Sequence, residues 1–173
     1  IEGLELQPEA HMSALENIRR NGLEVRLSSR LGDIRQYKAL YPAGSFSYAI
    51  SNPPYFPAGS GARAKGSGAL ARGEAACSLE DVFAAAAWLL RWGGRFCLVH
   101  RPERLADLMV LGRAHRLEVK RLRFVRHSPD RRVSLVLAEC RLGAKPGLEL
   151  LPELVLWDEK GAPTGEQARI YHL

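Results

Sequence analysis

Residues 78–99 read Ser78-Leu79-Glu80-Asp81-Val82-Phe83-Ala84-Ala85-Ala86-Ala87-Trp88-Leu89-Leu90-Arg91-Trp92-Gly93-Gly94-Arg95-Phe96-Cys97-Leu98-Val99. Ser78 with Asp81 three residues on has the form of a capping box, which opens a helix by satisfying its orphan N–H groups. Val82, Phe83, Ala86, Leu89 and Leu90 then share one face, and Gly93-Gly94 is expected to stop the turn. Residues 96–99 follow as a strand that is apolar on both faces. A strand of that kind belongs in a parallel sheet covered by helices above and below.

Working outward, the same rhythm continues on both sides. Pro102 opens another helix, with Leu105, Leu108, Met109 and Leu111 directed inward. Strands over residues 119–125 and 133–140 are separated by Arg126-His127-Ser128-Pro129-Asp130-Arg131-Arg132, too short for a crossover helix, so one of the two must run antiparallel. Upstream, residues 1–6 read as a strand. Pro8 starts a helix with Met12, Leu15 and Ile18 on one face, stopped by Asn21-Gly22. Residues 25–29 form a second short strand ended by Gly32-Asp33, and residues 46–51 a third, running into Asn52-Pro53-Pro54-Tyr55. Residues 57–73 switch to Gly, Ala and Ser with Arg63, Lys65 and Arg72, the composition of a mobile basic loop with room to act as a lid.

This pattern specifies the α/β class: a doubly wound, Rossmann-like sheet, mostly parallel with a reversed last strand. Residues 1–143 make up that domain. Residues 144–173 are an extension on it, with an edge strand over 150–157 and a frayed helical turn over 166–171. At 173 residues with 46% apolar side chains, one core is expected rather than two.

The net charge of +6 favours an anionic partner such as nucleic acid. Cys77, Cys97 and Cys140 are scattered inside apolar runs, which suggests neither a metal knuckle nor a disulfide framework and fits a reducing cytoplasm. His11, His115 and His172 lack metal-like spacing, so no metal is expected, and Met12 and Met109 are expected in the core. The greasy stretch over 84–90 falls far short of the ~20 residues a bilayer-spanning helix needs, so no membrane association is expected. Composition does not fix the oligomeric state.

The chemistry-bearing motif is Asn52-Pro53-Pro54-Tyr55, because open α/β sheets bind ligands at the carboxyl ends of their strands. On its own, the tetrad can also be read as a rigid turn with Tyr55 capping the core. The Asn52 side-chain oxygen and the Pro53 carbonyl are two acceptors for a substrate amino group, and Tyr55 is a ring on which a planar base can stack. With this motif in that position, the chain resembles the amino-methylating class I S-adenosylmethionine-dependent methyltransferases. The closer resemblance is to the bacterial tRNA(Val) adenine-N6 methyltransferase family, through Asn52-Pro53-Pro54-Tyr55-Phe56, the glycine-rich basic loop and Ala71-Arg72-Gly73-Glu74. It continues through Leu98-Val99-His100-Arg101-Pro102-Glu103-Arg104-Leu105 and Lys120-Arg121-Leu122-Arg123-Phe124-Val125.

The resemblance implies S-adenosylmethionine as cofactor and a tRNA adenine as substrate. It implies Asn52, Pro53, Pro54 and Tyr55 at the reacting nitrogen. For the cofactor it implies Glu5 at the ribose hydroxyls, Asp33 at the adenine amino group with Ile34 flanking the ring, and Asn52 again. Phe56, Arg72, Arg101, Arg126, His127, Arg131 and Arg132 are candidate substrate contacts. Lys120, Arg121 and Arg123 read equally well as a solvated strand face, and His100 and Arg101 as a structural cap.

One departure stands out. Such enzymes carry a glycine-rich cofactor loop after a first strand, roughly twenty residues ahead of the ribose-binding acid, whereas Glu5 has four residues before it. The resemblance therefore implies that this strand and loop are missing from the chain. It also implies that the edges of the strands ending at Glu5 and Asn52 face each other unpaired, and that the chain alone is impaired in cofactor binding and activity. Two other readings remain at this stage: methylation of a protein glutamine amide, since release-factor methyltransferases share Asn-Pro-Pro-Tyr, and a non-catalytic RNA-binding module.

Overall fold

The computed structural model describes residues 1–53 and 77–172. Strand β1 (Glu2–Glu5) leads into helix α1 (Pro8–Arg20) and strand β2 (Ser28–Leu31), which pairs parallel to β1 with Glu2 opposite Ser28. A 3-10 turn (Ile34–Gln36) and the short helix α2 (Tyr37–Leu40) connect to β3 (Phe46–Ser51). Helix α3 (Leu79–Leu89), strand β4 (Leu90–His100), helix α4 (Leu105–Ala114) and the long strands β5 (Leu117–Arg126) and β6 (Val133–Leu142) follow. The tail adds β7 (Glu149–Leu150), β8 (Leu154–Val155) and α5 (Gly165–Tyr171).

The larger sheet has the order β3-β4-β6-β5-β7, with β8 also on β5. β3 pairs parallel with β4, while β6 runs antiparallel to both β4 and β5. The result is the mostly parallel sheet with one reversed strand that the short 126–132 connection demanded. β1 and β2 form a separate two-stranded sheet. Among the described residues, the outer edge of β3 and one edge of β1 have no strand beside them.

The core lies between the larger sheet and the α3–α4 layer. Phe83, Phe96, Leu108, Leu117, Val136 and Cys140 are fully buried there, and the Phe83 and Phe96 rings meet edge-on at 5.4 Å. Burial pushes the Cys140 thiol up to about 12, so it behaves as an inert apolar group. The expected capping box is formed: Ser78 Oγ accepts the Asp81 N–H at 3.1 Å, and the Asp81 carboxylate accepts the Ser78 N–H at 2.9 Å. Two contacts tie the small sheet to α3. Trp88 Nε1 donates to the Tyr41 carbonyl at 3.0 Å, and the buried Tyr41 hydroxyl donates to Glu2 at 2.7 Å.

The structure corrects several local expectations. Gly93-Gly94 do not stop the helix, which has already ended at Leu89. They sit inside β4, where the pairing slips from Phe46 opposite Leu90 to Tyr48 opposite Arg95. That bulge needs φ +78° at Gly93, and a Cβ on Gly94 would stand 2.8 Å from the Arg91 carbonyl oxygen. The second strand begins at Ser28 rather than 25, because Arg26 and Leu27 spend their N–H groups on the Leu23 carbonyl in a turn. Val25 is consequently fully exposed. Met12, expected in the core, is 62% exposed: α1 packs on β1 and β2 through its other side, and no described element covers the Met12 face. Met109 does pack against the core.

The tail is better anchored than its sequence suggests. Arg123 on β5 grips Glu166 of α5 with two bonds of 2.7 Å, and Arg123 Nε donates to the Pro152 carbonyl at 2.8 Å. No helix among the described residues is long and apolar enough to cross a membrane. No cluster of three metal-binding side chains is found among them either.

Candidate active site

Strand register fixes which residues share the carboxyl edge of the larger sheet. Ser51 lies opposite Leu98, so Asn52 leaves β3 level with the end of β4, and His100 at that end lies opposite Val136 near the start of β6. Arg126, the last residue of β5, pairs with Val133, the first of β6, so the connection over 127–132 also projects from this edge. Asn52 is exposed and Pro53 buried. Pro54, Tyr55, Phe56 and Arg72 lie outside the described residues, as does the basic loop.

Two carboxylates end the strands of the smaller sheet. Glu5 closes β1 and uses Oε1 to accept the Gln7 N–H at 2.8 Å, which leaves Oε2 for a hydroxyl donor. Asp33 follows β2. One of its oxygens accepts the Arg35 N–H at 2.9 Å, capping the 3-10 turn, and both oxygens also receive the Arg35 guanidinium. Those bonds hold the Asp33 carboxyl below the usual carboxylate range, against the opposing cost of partial burial. Asp33 therefore stays ionised, as a pure acceptor. Asp33 first, and Asp81 beyond it, raise the proton affinity of the Arg35 guanidinium further. This places the Asp33–Arg35 pair by the N-terminal end of α3, on the side where the chain returns from β3. Ile34, half-buried, is the first residue of the turn. Sequence reading passed over Arg35, although an Arg two residues after a capping Asp is a visible signal.

The remaining candidates divide. His100 is completely buried, and its Nδ1 accepts the Arg101 N–H at 2.9 Å. Arg101 points to Glu103 at 3.6 Å. Arg126 is committed inside the fold: it reaches Glu153 at 2.7 Å and donates to the Pro129 and Arg131 carbonyls at 3.2 Å. Lys120 donates to the Lys145 carbonyl, and Arg121 lies between Glu139 and Glu149. These cations tie the strands and the tail together. Arg131 and Arg132 are exposed at the hairpin, with only Asp130, 3.7 Å from Arg131, as an ion-pair partner among the described residues. His127 sits beside Trp157, ring centroids 6.0 Å apart, at an open cavity of about 930 Å³ that the tail and the hairpin build together.

No family model matches the sequence, and no curated protein matches it. Solved structures do. A predicted O-methyltransferase from Agrobacterium tumefaciens superposes with a TM-score of 0.78 at 17% identity, covering 99% of this chain and 76% of that one. A SAM-dependent methyltransferase from Methanosarcina mazei gives 0.57 at 13% identity, covering 86% and 82%. A geranyl diphosphate C-methyltransferase from Streptomyces coelicolor A3(2), solved with Mg²⁺, geranyl diphosphate and S-adenosyl-L-homocysteine, gives 0.51 at 11% identity, covering 81% and 62%, so this chain spans less than two thirds of that protein. The chain has the Rossmann-like fold of the class I S-adenosylmethionine-dependent methyltransferases. These likenesses define fold and not substrate.

Proposed function

We propose that the protein is an S-adenosylmethionine-dependent methyltransferase acting on the exocyclic amino nitrogen of an adenine in tRNA. The observation that carries the reading is Asn52-Pro53 leaving β3 at the carboxyl edge of a class I methyltransferase fold, with Asn52 an exposed residue. The donor set supports the cofactor. Glu5 and Asp33 offer acceptors for hydroxyl and amino donors at the ends of β1 and β2, and neutral or cationic nucleoside groups suit carboxylates there better than phosphate does.

S-adenosylmethionine, when bound, supplies a methyl group already activated by its sulfonium charge. The protein's task is then to present a nitrogen. An amino group conjugated to a purine is a poor nucleophile, so acceptors arranged for a tetrahedral nitrogen favour the attacking geometry. Asn52 Oδ1 and the Pro53 carbonyl fill that role, and Tyr55 stacks on the base. On accepting that methyl group the substrate nitrogen would carry the positive charge, and its proton would leave to solvent, so no strong general base is needed. A base inside folded RNA must be unstacked to reach this edge. The exposed Arg131 and Arg132 suit the phosphates around it, and a cytoplasmic site of action fits such a substrate.

The test is nucleoside analysis of unmodified tRNA after incubation with the protein and methyl-labelled S-adenosylmethionine, with Asn52→Ala alongside. Label in N6-methyladenosine with the wild type, and a loss of at least a hundredfold in Asn52→Ala, is the expected outcome. Label absent from RNA but present in a glutamine-bearing peptide would overturn the substrate. Label absent from RNA and peptide alike, although S-adenosylhomocysteine binds, would overturn the reaction.

A further inference from the structure

We infer that the cavity between the β5–β6 hairpin and the Trp157 turn is a docking pocket for a single unpaired nucleobase of the substrate RNA, separate from the base that is methylated. This inference rests on the nucleic-acid reading above.

The pocket is built rather than incidental. Leu156 and Trp157 donate their N–H groups to the Arg126 and His127 carbonyls at 3.1 and 2.8 Å, extending the β8–β5 pairing beyond the strand and laying Trp157 against His127. The turn that follows is closed by Asp158, whose Oδ1 accepts the Lys160 and Ala162 N–H groups at 2.8 and 2.9 Å, and by Trp157 bridged to Pro163. Thr164 pins its far end, donating through Oγ1 to the Val155 carbonyl at 2.7 Å. On the hairpin side, Arg126 holds the Pro129 and Arg131 carbonyls. The two walls are thus set by backbone bonds before any ligand arrives.

The chemistry selects a base over a phosphate. Trp157 is half-buried and His127 exposed, so both rings line the cavity with area left for stacking. Their 6.0 Å separation and 40° tilt are short of the about 7 Å that two stacking layers require. A base therefore lies on one ring and abuts the other, rather than threading between them. Asp130, Asp158 and Glu159 stand around the opening. Carboxylates there repel a phosphate but accept from the exocyclic amino groups of adenine, cytosine or guanine. Arg131 also lines the cavity but is outnumbered there by the three carboxylates, and with the exposed Arg132 it can meet the flanking backbone. Two sheet positions separate β5 from β4 and a third separates β4 from β3. At about 4.8 Å per step the pocket is about 14 Å from Asn52, so one base cannot occupy both places.

The test measures anisotropy of a fluorescein-labelled single-stranded RNA of mixed adenosine and cytidine on the full chain, against oligouridine of equal length. Trp157→Ala is expected to weaken binding of the mixed RNA about five- to a hundredfold, the range of base–aromatic stacking, and Trp157→Phe much less. The preference over uridine should shrink in Glu159→Gln. A readout that does not depend on the alanine variant folding is the indole region of the ¹⁵N–¹H spectrum. The signal lost in Trp157→Phe should be the one that moves when RNA is added to wild type. Unchanged affinity in Trp157→Ala, or an unmoved Trp157 indole at saturating RNA, refutes the pocket even if S-adenosylhomocysteine binds and the methylation reading stands. Failure to bind either RNA, with S-adenosylhomocysteine bound, refutes both the pocket and the nucleic-acid substrate.

Discussion

Replacing Gly112 with alanine sets two physical effects against each other, and the structure says which wins. Gly112 lies near the end of α4, where alanine is worth about 0.8 to 1 kcal/mol more than glycine in helix propensity. The added Cβ, however, would stand 2.8 Å from the Leu117 carbonyl oxygen, with Val119 Cγ2 at 3.5 Å and Phe83 Cε1 at 3.7 Å. Leu117 cannot retreat easily: it is completely buried, and its strand is fixed by pairing with Leu142 of β6. Overpacking of this kind costs about 1 to 3 kcal/mol, so Gly112→Ala should destabilise by about 1 kcal/mol net. For a chain of 173 residues, that lowers Tm by about 2 to 4 °C in calorimetry or thermal circular dichroism. Gly165→Ala is the matched control. It opens α5 with nothing within 4 Å of its would-be Cβ, and the same substitution there should stabilise by about 0.4 to 1 kcal/mol. A Tm for Gly112→Ala equal to or above wild type would show that α4 does not pack on β5 as described.

Two further outcomes follow from the charged groups. Tyr41 and Arg30 hold the Glu2 carboxyl below its ordinary value of 4.5. Its stabilising contribution is therefore fully present above that value and lost as pH falls through the depressed one. The stability gap between wild type and Glu2→Gln, read from thermal unfolding, should be largest near neutrality, about 0.5 to 1 kcal/mol after solvent screening, and close as the pH drops below 4.5. A gap that widens on acidification would contradict the assignment. Asp33→Ala should weaken S-adenosylhomocysteine binding about tenfold in calorimetry. It should weaken binding of the 6-oxo analogue S-inosylhomocysteine, which lacks the amino donor, scarcely at all. Equal losses for both ligands would remove Asp33 from the adenine.

Legibility tracked how local the cause was. The capping box at Ser78, the two-sided apolar strand at 96–99 and the reversed last strand all follow from neighbours in sequence or from a connection too short to cross over. Each appears in the structure, except that among the described residues helices cover only one face of the 96–99 strand, with Phe96 and Leu98 buried and Cys97 and Val99 half-buried. Gly93-Gly94 misled because a helix stop and a β-bulge call for the same residue type, and only pairing with β3 decides between them. Met12 misled because an apolar stripe shows which face wants cover and not what covers it. At the candidate site, Asn52, Glu5 and Asp33 were visible as strand-end residues. Trp157 was not, since its role comes from His127, which only the fold brings near, whereas Arg35 binds Asp33 two residues before it and was legible in principle. The basic hairpin was the reverse case. Its charges were obvious, but most of the strand cations turn out to be consumed by Glu139, Glu149, Glu153 and Glu166.

The carboxylates proposed for the cofactor and the amide proposed for the substrate lie on different sheets, so methyl transfer depends on how those sheets are held in register. Among the described residues, a compact set of contacts does this. Arg30 of β2 lies 4.8 Å over the Tyr41 ring and pairs with Glu2 of β1 at 2.8 Å, while Tyr41 donates its hydroxyl to the same carboxylate. Burial and Glu2 push the Tyr41 hydroxyl up to about 12, so it remains a donor throughout the physiological range. From Tyr41 the chain of contacts passes through the edge-on Phe46 ring to β3, and through its carbonyl to Trp88 on α3. Trp88 in turn accepts the Gly44 N–H on its own carbonyl at 2.8 Å, just ahead of β3. Asp33 and Asn52 are therefore positioned relative to each other through Tyr41 and Trp88. Neither residue needs to touch a ligand for its loss to misalign the two halves of the proposed site, because angstrom-scale misplacement alone can cost two orders of magnitude in rate.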